Sequence, residues 1–131
     1  AERAIDAAKQ AFGRFDGLYH VAGGSGRRWG DGPLHEISDE GWEQTLDWNL
    51  KSAFLSARAA ATALCDGSGG SVVLMSSVLA SRPAPQFFAT HAYAAAKAAV
   101  IGLARAAAAY YAPQNIRFNV IAPALTPANR C

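Results

Sequence analysis

Residues 71–77 read SVVLMSS, with four large apolar side chains in unbroken succession. A strand whose neighbouring residues are all apolar has no wet face, and such strands belong to parallel sheets covered on both sides. A parallel sheet needs long crossovers, and long helical patterns flank this strand. From Ser38 or Asp39, the residues Trp42, Leu46, Leu50, Phe54, Ala57, Ala61 and Leu64 recur at helical spacing, and Gly67 can end the run. Asp39, Glu40 and Glu43 suit the positive end of that helix. Downstream, residues 90–112 form an alanine-rich stretch of the best helix former, closed by Pro113.

Two further strands complete the pattern, LYHVA (18–22) and IRFNVIAP (116–123), and a helix over 1–12 carries Ile5, Ala8 and Phe12 on one stripe. The order is helix, strand, three times over. Strands separated by helices pair in parallel through right-handed crossovers, so the expected class is α/β, a doubly wound parallel sheet. The 131 residues suit one domain. No capping residue precedes the first helix, so the chain reads as the central part of a longer domain.

Composition removes several classes of function. Half the residues are hydrophobic, enough for a core, and the net charge of +2 comes from scattered arginines. Arg27 and Arg28 are adjacent but lie in a glycine-rich loop, GGSGRRWGDGP (23–33), which reads as a solvated segment and not as a nucleic-acid surface. Lys97, Gly102 and Arg105 interrupt the longest apolar run, which argues against a membrane span. The two cysteines, Cys65 and Cys131, make no zinc pattern and no disulfide framework, and a reducing, cytoplasmic compartment is the default. No metal site is expected.

Ligands in open parallel sheets sit beyond the carboxyl ends of the strands. Those ends carry Ala22-Gly23-Gly24, Ser76-Ser77 and Ala122-Pro123. Tyr93 and Lys97 stand four apart in HAYAAAKAAV, hence on one face near the start of the helix after Ser77. A Tyr/Lys pair at this spacing is a common coincidence; its placement beside a serine at the ligand edge is what gives it weight. A phenol with a pKa near ~10 is a poor acid or base at neutral pH, and a nearby ammonium favours the phenolate. A serine hydroxyl can hydrogen-bond a developing oxyanion. This set suits reduction of a carbonyl or oxidation of an alcohol. None of the three can supply hydride, so a nicotinamide would be required.

At these residues the chain resembles the short-chain dehydrogenase/reductase family. GSVVLMSS followed by YAAAK resembles that family's catalytic serine strand and Tyr-x-x-x-Lys helix. LDWNLKSAF is similar to the helix carrying its catalytic asparagine. His20-Val21-Ala22-Gly23 resembles its Asn-Asn-Ala-Gly turn with both asparagines replaced. NIRFNVIAPALTP resembles its sixth strand and Pro-Gly turn, with Ala124 in place of glycine.

The resemblance implies that Tyr93 is the acid/base. Lys97 would lower the tyrosine pKa and bind the nicotinamide ribose. Ser77, in preference to Ser76, would position the carbonyl, and Asn49 would hold a water of the proton relay. Ala22 and Gly23 would lie on the adenosine side of NAD or NADP, and Ile121, Pro123 and Thr126 would flank the nicotinamide. It also implies a homodimer or homotetramer paired through the helices carrying Asn49 and Tyr93.

The family's glycine-rich dinucleotide turn has no match here, because no helix opens after GSGRRWG (24–30). The expectation is that the first βαβ unit and the C-terminal segment lie outside this chain, and that 131 residues alone do not turn over a substrate. Phe87 and Phe88 are candidates for an apolar substrate pocket or for loop anchoring, and His91 for the crevice mouth. His20 reads as a packed or hydrogen-bonded histidine, Arg28 and Trp29 as solvent-facing, and Trp42 and Trp48 as helix packing or a subunit interface. The alternative function is a non-catalytic relative that keeps the fold as a structural or regulatory subunit.

Overall fold

The computed structural model describes residues 1–124. Its helices and strands are α1 (Glu2–Phe12), β1 (Gly17–His20), α2 (Asp39–Leu46), α3 (Ser52–Cys65), β2 (Gly70–Met75), α4 (His91–Tyr111) and β3 (Ile116–Ile121). A π-helical turn, Asp47–Lys51, joins α2 and α3 into one long helix. The strands form one parallel sheet in the order β1-β2-β3, so each crossover steps to the adjacent strand. Thr126 and Cys131 lie outside the described residues.

Register sorts the strand residues into two faces. Leu18, Val72 and Phe118 are aligned across the sheet, as are His20, Leu74 and Val120. These side chains and Ile116 face the helices, and Val72, Leu74 and Ile116 are completely enclosed. Tyr19, Val73 and Asn119 share the other face, where Tyr19 is 59% exposed. The apolar run of β2 suggests cover on both sides, but among the described residues only one face is covered. Right-handed crossovers that always step in one direction along a sheet deliver their helices to one side.

The helix layer is built largely of alanine. Ala53, Ala57, Ala60, Ala61 and Leu64 of α3 and Val100 and Ala104 of α4 join Ile5 of α1 in one core. Small side chains let helices lie close to the sheet, where dispersion contacts are densest.

The buried line along the long helix is Gly41, Thr45, Asn49, Ala53 and Ala57, one position away from the expected Trp42-Leu46-Leu50-Phe54 stripe. Trp42 and Phe54 are each about two-fifths exposed. In the first turns the large residues flank the contact and the small ones make it, whereas farther along Ala57, Ala61 and Leu64 are buried as expected. Phe12 is likewise exposed, and α1 attaches through Ile5. α4 is long and apolar enough to pass for a membrane span, yet its buried stripe of Ala92, Ala96, Lys97, Val100 and Ala104 belongs to the protein interior.

Candidate active site

β2 ends at Met75, and α4 begins sixteen residues later at His91, so the first turns of α4 lie against the carboxyl edge of the sheet. Lys97, one turn below Tyr93, is 3% exposed. Its ammonium donates to the Met75 carbonyl at 3.0 Å and lies 5.6 Å from the centroid of the Tyr93 ring. Burial lowers the Lys97 pKa from its ordinary value.

The two serines divide their work. Ser76 Oγ donates to the Lys97 carbonyl at 2.7 Å and thereby ties α4 to the end of β2. Ser77 Oγ accepts the Leu79 N–H at 3.2 Å, and its side of the chain lines the same cavity as Tyr93. An accepting hydroxyl keeps its own proton for a ligand. Ser77 is therefore the serine that geometry puts beside Tyr93.

Asn49 sits in the π-helical turn, fully buried. Such turns are rare and recur at functional sites. Its Nδ2 donates to the carbonyls of Thr45 and Gly24, both at 2.9 Å, and its Oδ1 accepts the Gly24 N–H at 3.0 Å. The amide thus clamps the loop after β1 and keeps a spare Oδ1 lone pair, while the Asn49 main-chain carbonyl lies 3.5 Å from the Ser52 hydroxyl. Gly23, next to the clamp, has φ +132, and a Cβ there would lie 2.7 Å from Asn49 Oδ1 and 3.3 Å from Lys97 Nζ. Three residues later, a Cβ on Gly26 would overlap the Thr45 hydroxyl. The glycines serve close packing of this loop on α2, and its regular pieces are two short 3-10 turns, Arg27–Trp29 and Leu34–Glu36.

Sequence reasoning missed Asp31. Its carboxylate is 4% exposed and accepts the N–H groups of Ala92 and Tyr93, each at 2.9 Å. Thr90 precedes α4 without making a side-chain cap, so Asp31 satisfies the helix end from across the fold. The negative charge also opposes the positive end of the helix. His91 Nδ1, within 2.8 Å of the Gly32 carbonyl, and Arg27, donating to the Phe87 carbonyl at 3.2 Å, fasten the same loop to the same region. His91 is thus engaged with the loop and does not line the cavity of Tyr93. One loop is fixed to Asn49 at one end and to the backbone of Tyr93 at the other.

The cavity beside Tyr93 and Ser77 has a volume of about 670 Å³, and Phe87, Phe88, Leu79 and Pro123 contribute to its walls. Ala22 and Ile121 are exposed at the strand ends beside it. His20 is buried and its Nε2 has no partner among the described residues; burial first, and the Lys97 charge second, lower its pKa. Arg28 is exposed, as expected, and its guanidinium stacks over Trp29 and Trp48 at 3.9 and 4.6 Å from the ring centroids. Among the described residues, no group of three His, Cys, Asp or Glu side chains could hold a metal ion.

A family model described as enoyl-(acyl carrier protein) reductase matches residues 1–130. Dehydrogenase/reductase SDR family member 4 of Pongo abelii is 39% identical over 94 residues, which cover 72% of this chain and 33% of that protein. The chain belongs to the short-chain dehydrogenase/reductase family. D-threitol dehydrogenase of Mycolicibacterium smegmatis is 33% identical over 122 residues, covering 93% of this chain and 44% of the relative. A solved short-chain type dehydrogenase/reductase from Mycobacterium ulcerans superposes with a TM-score of 0.84 at 35% identity, over 95% of this chain and 43% of that one. The chain thus spans between a third and half of the length of these relatives, and it forms part of a Rossmann-like α/β fold.

Proposed function

We propose that the protein containing this chain transfers hydride between NAD or NADP and a small carbonyl or alcohol substrate. The observation that carries this reading is the gathering of Ser77 and Tyr93 on one cavity, with the buried Lys97 ammonium beneath the phenol. The carbonyl oxygen is held between the Ser77 hydroxyl and the Tyr93 phenol. As the carbonyl carbon becomes tetrahedral, negative charge grows on that oxygen, and preorganised donors stabilise it. Tyr93 then gives up its proton, and the Lys97 ammonium stabilises the phenolate left behind. Asn49, through its main-chain carbonyl, orients a water that returns a proton towards Lys97 and Tyr93.

The nicotinamide supplies the hydride. The residues present fit it: Gly23, without a Cβ, brings bare backbone close to Asn49 and Lys97 at the ligand edge, and Lys97 has N–H groups to spare beyond its bond to Met75. Lys97 and Tyr93 would hold the ribose. Ala22 and Gly23 would hold the adenosine side, Ile121 and Pro123 the nicotinamide, and Thr126 would join them.

Tyr93→Phe in the full-length protein tests this reading. Turnover should fall at least about a thousandfold, the upper part of what a positioned acid/base contributes, while the cofactor dissociation constant changes little. Turnover within tenfold of wild type would overturn it. We further propose that two copies pair through the long helix α2–α3 and α4, where Phe54, Leu55 and the outer alanines of α4 are exposed. Light scattering of the full-length protein should then give a dimer or tetramer, and a strict monomer would refute the pairing.

A further inference from the structure

The cavity of Tyr93 is lined by two cations and no anion. Arg27 comes from the loop after β1, Arg82 from the segment that follows the 3-10 turn Val78–Ala80, and no Asp or Glu side chain contributes to the wall. The remainder of the wall is mainly apolar, with Val78, Leu79, Phe87 and Phe88. Among the described residues, neither guanidinium pairs with a carboxylate. Arg27 is held in place by one N–H, bonded to the Phe87 carbonyl, which leaves the rest of its five donors for a ligand. The Arg82 backbone is held through its N–H to the Val78 carbonyl at 2.8 Å, while among the described residues its side chain has no hydrogen-bond partner.

Both arginines are exposed members of the lining, free to meet a ligand, and guanidinium groups match planar or tetrahedral oxyanions with paired hydrogen bonds. We infer that the substrate is anionic: a carbonyl or alcohol compound with an apolar body and a carboxylate or phosphate group that Arg27 and Arg82 receive. This inference rests on the hydride-transfer reading for the location of the reacting carbon, but the anion site itself is independent of turnover.

The test uses three aryl methyl ketones of one shape: 4-acetylbenzoate, 4-acetylphenyl phosphate and the neutral 4-acetylbenzamide. Calorimetric titration of each into the full-length, cofactor-saturated protein should show at least one anion binding about tenfold or more tighter than the amide, the value of one charge-assisted hydrogen-bond pair. Whichever anion is preferred separates carboxylate from phosphate recognition. The preference should shrink with rising salt and collapse in the Arg27→Gln/Arg82→Gln double variant.

Equal affinity for all three ketones in the wild type would overturn the inference. So would a preference that survives the double substitution, or a double variant that weakens the cofactor and not the anion. Following nicotinamide oxidation with the same ketones separates the two claims. An arginine-dependent preference without ketone reduction would leave the anion site standing and count against hydride transfer. Reduction of all three with equal KM would do the reverse.

Discussion

Lys97 and His20 are the two interior side chains whose ionisation the fold disturbs, Lys97 through its burial and His20 through burial first and the Lys97 charge second. His20 packs against the sheet side of the site with its Nε2 unpartnered, so the folded chain prefers it neutral. The unfolded chain protonates it near the ordinary value of 6.5. Between the lowered folded pKa and 6.5, the unfolded state therefore binds more protons, and stability falls as pH drops through that window. The variant His20→Asn should flatten the acid side of a plot of melting temperature against pH. An unchanged slope would mean that His20 is not the group that titrates.

Tyr93, Lys97, Ser77 and Asn49 were all legible as candidates in the sequence. Three of them follow strand ends or helical spacing, which local pattern encodes. Asp31 was not legible, because its partners are backbone N–H groups some sixty residues away and Asp-Gly-Pro reads as an ordinary turn.

At the scale of elements, the loop between β1 and α2 acts as a spacer between the Asn49 clamp and the start of α4. Removing a helix cap costs on the order of 1 kcal/mol. Asp31→Ala leaves two buried N–H groups without a partner, so a loss of about 2 kcal/mol is expected by denaturant unfolding. Because one of those groups belongs to Tyr93, kcat should fall at temperatures where the variant remains folded, with the cofactor dissociation constant preserved. Asp31→Asn should recover part of both. Full kcat in folded Asp31→Ala would show that α4 holds Tyr93 without this contact.

Gly23→Ala tests the other end of the loop. Its positive φ and the proximity of Asn49 Oδ1 leave no place for a methyl group, so weaker cofactor binding and lower stability are expected together. The same long helix shows why the first half of the expected core stripe lies one position away from the buried line, while Ala57, Ala61 and Leu64 are buried as expected. Periodicity finds the large apolar residues, whereas close contact with sheet and loop selects Gly41, Thr45, Asn49 and Ala53.

For the whole molecule, helix and strand order alone was enough for a parallel α/β sheet, because parallel pairing demands crossovers and the crossovers are visible as helices. What local pattern could not supply was the side on which the helices lie. β2 is apolar at consecutive positions, yet Val72 and Leu74 are enclosed while Ser71, Val73 and Met75 remain partly exposed on the opposite face. Among the described residues the helices thus lie on one face of the sheet, and the proposed chemistry would take place at the carboxyl edge of that half.

Deuterium transfer tests the central claim most directly. The full-length protein is supplied with nicotinamide cofactor deuterated at the transferable position and with a ketone that it reduces. Deuterium should appear at the carbinol carbon of the product with a primary isotope effect in single turnover, and Tyr93→Phe should abolish the transfer. A product without the label, or equal labelling by the Tyr93→Phe variant, would contradict hydride transfer assisted by Tyr93.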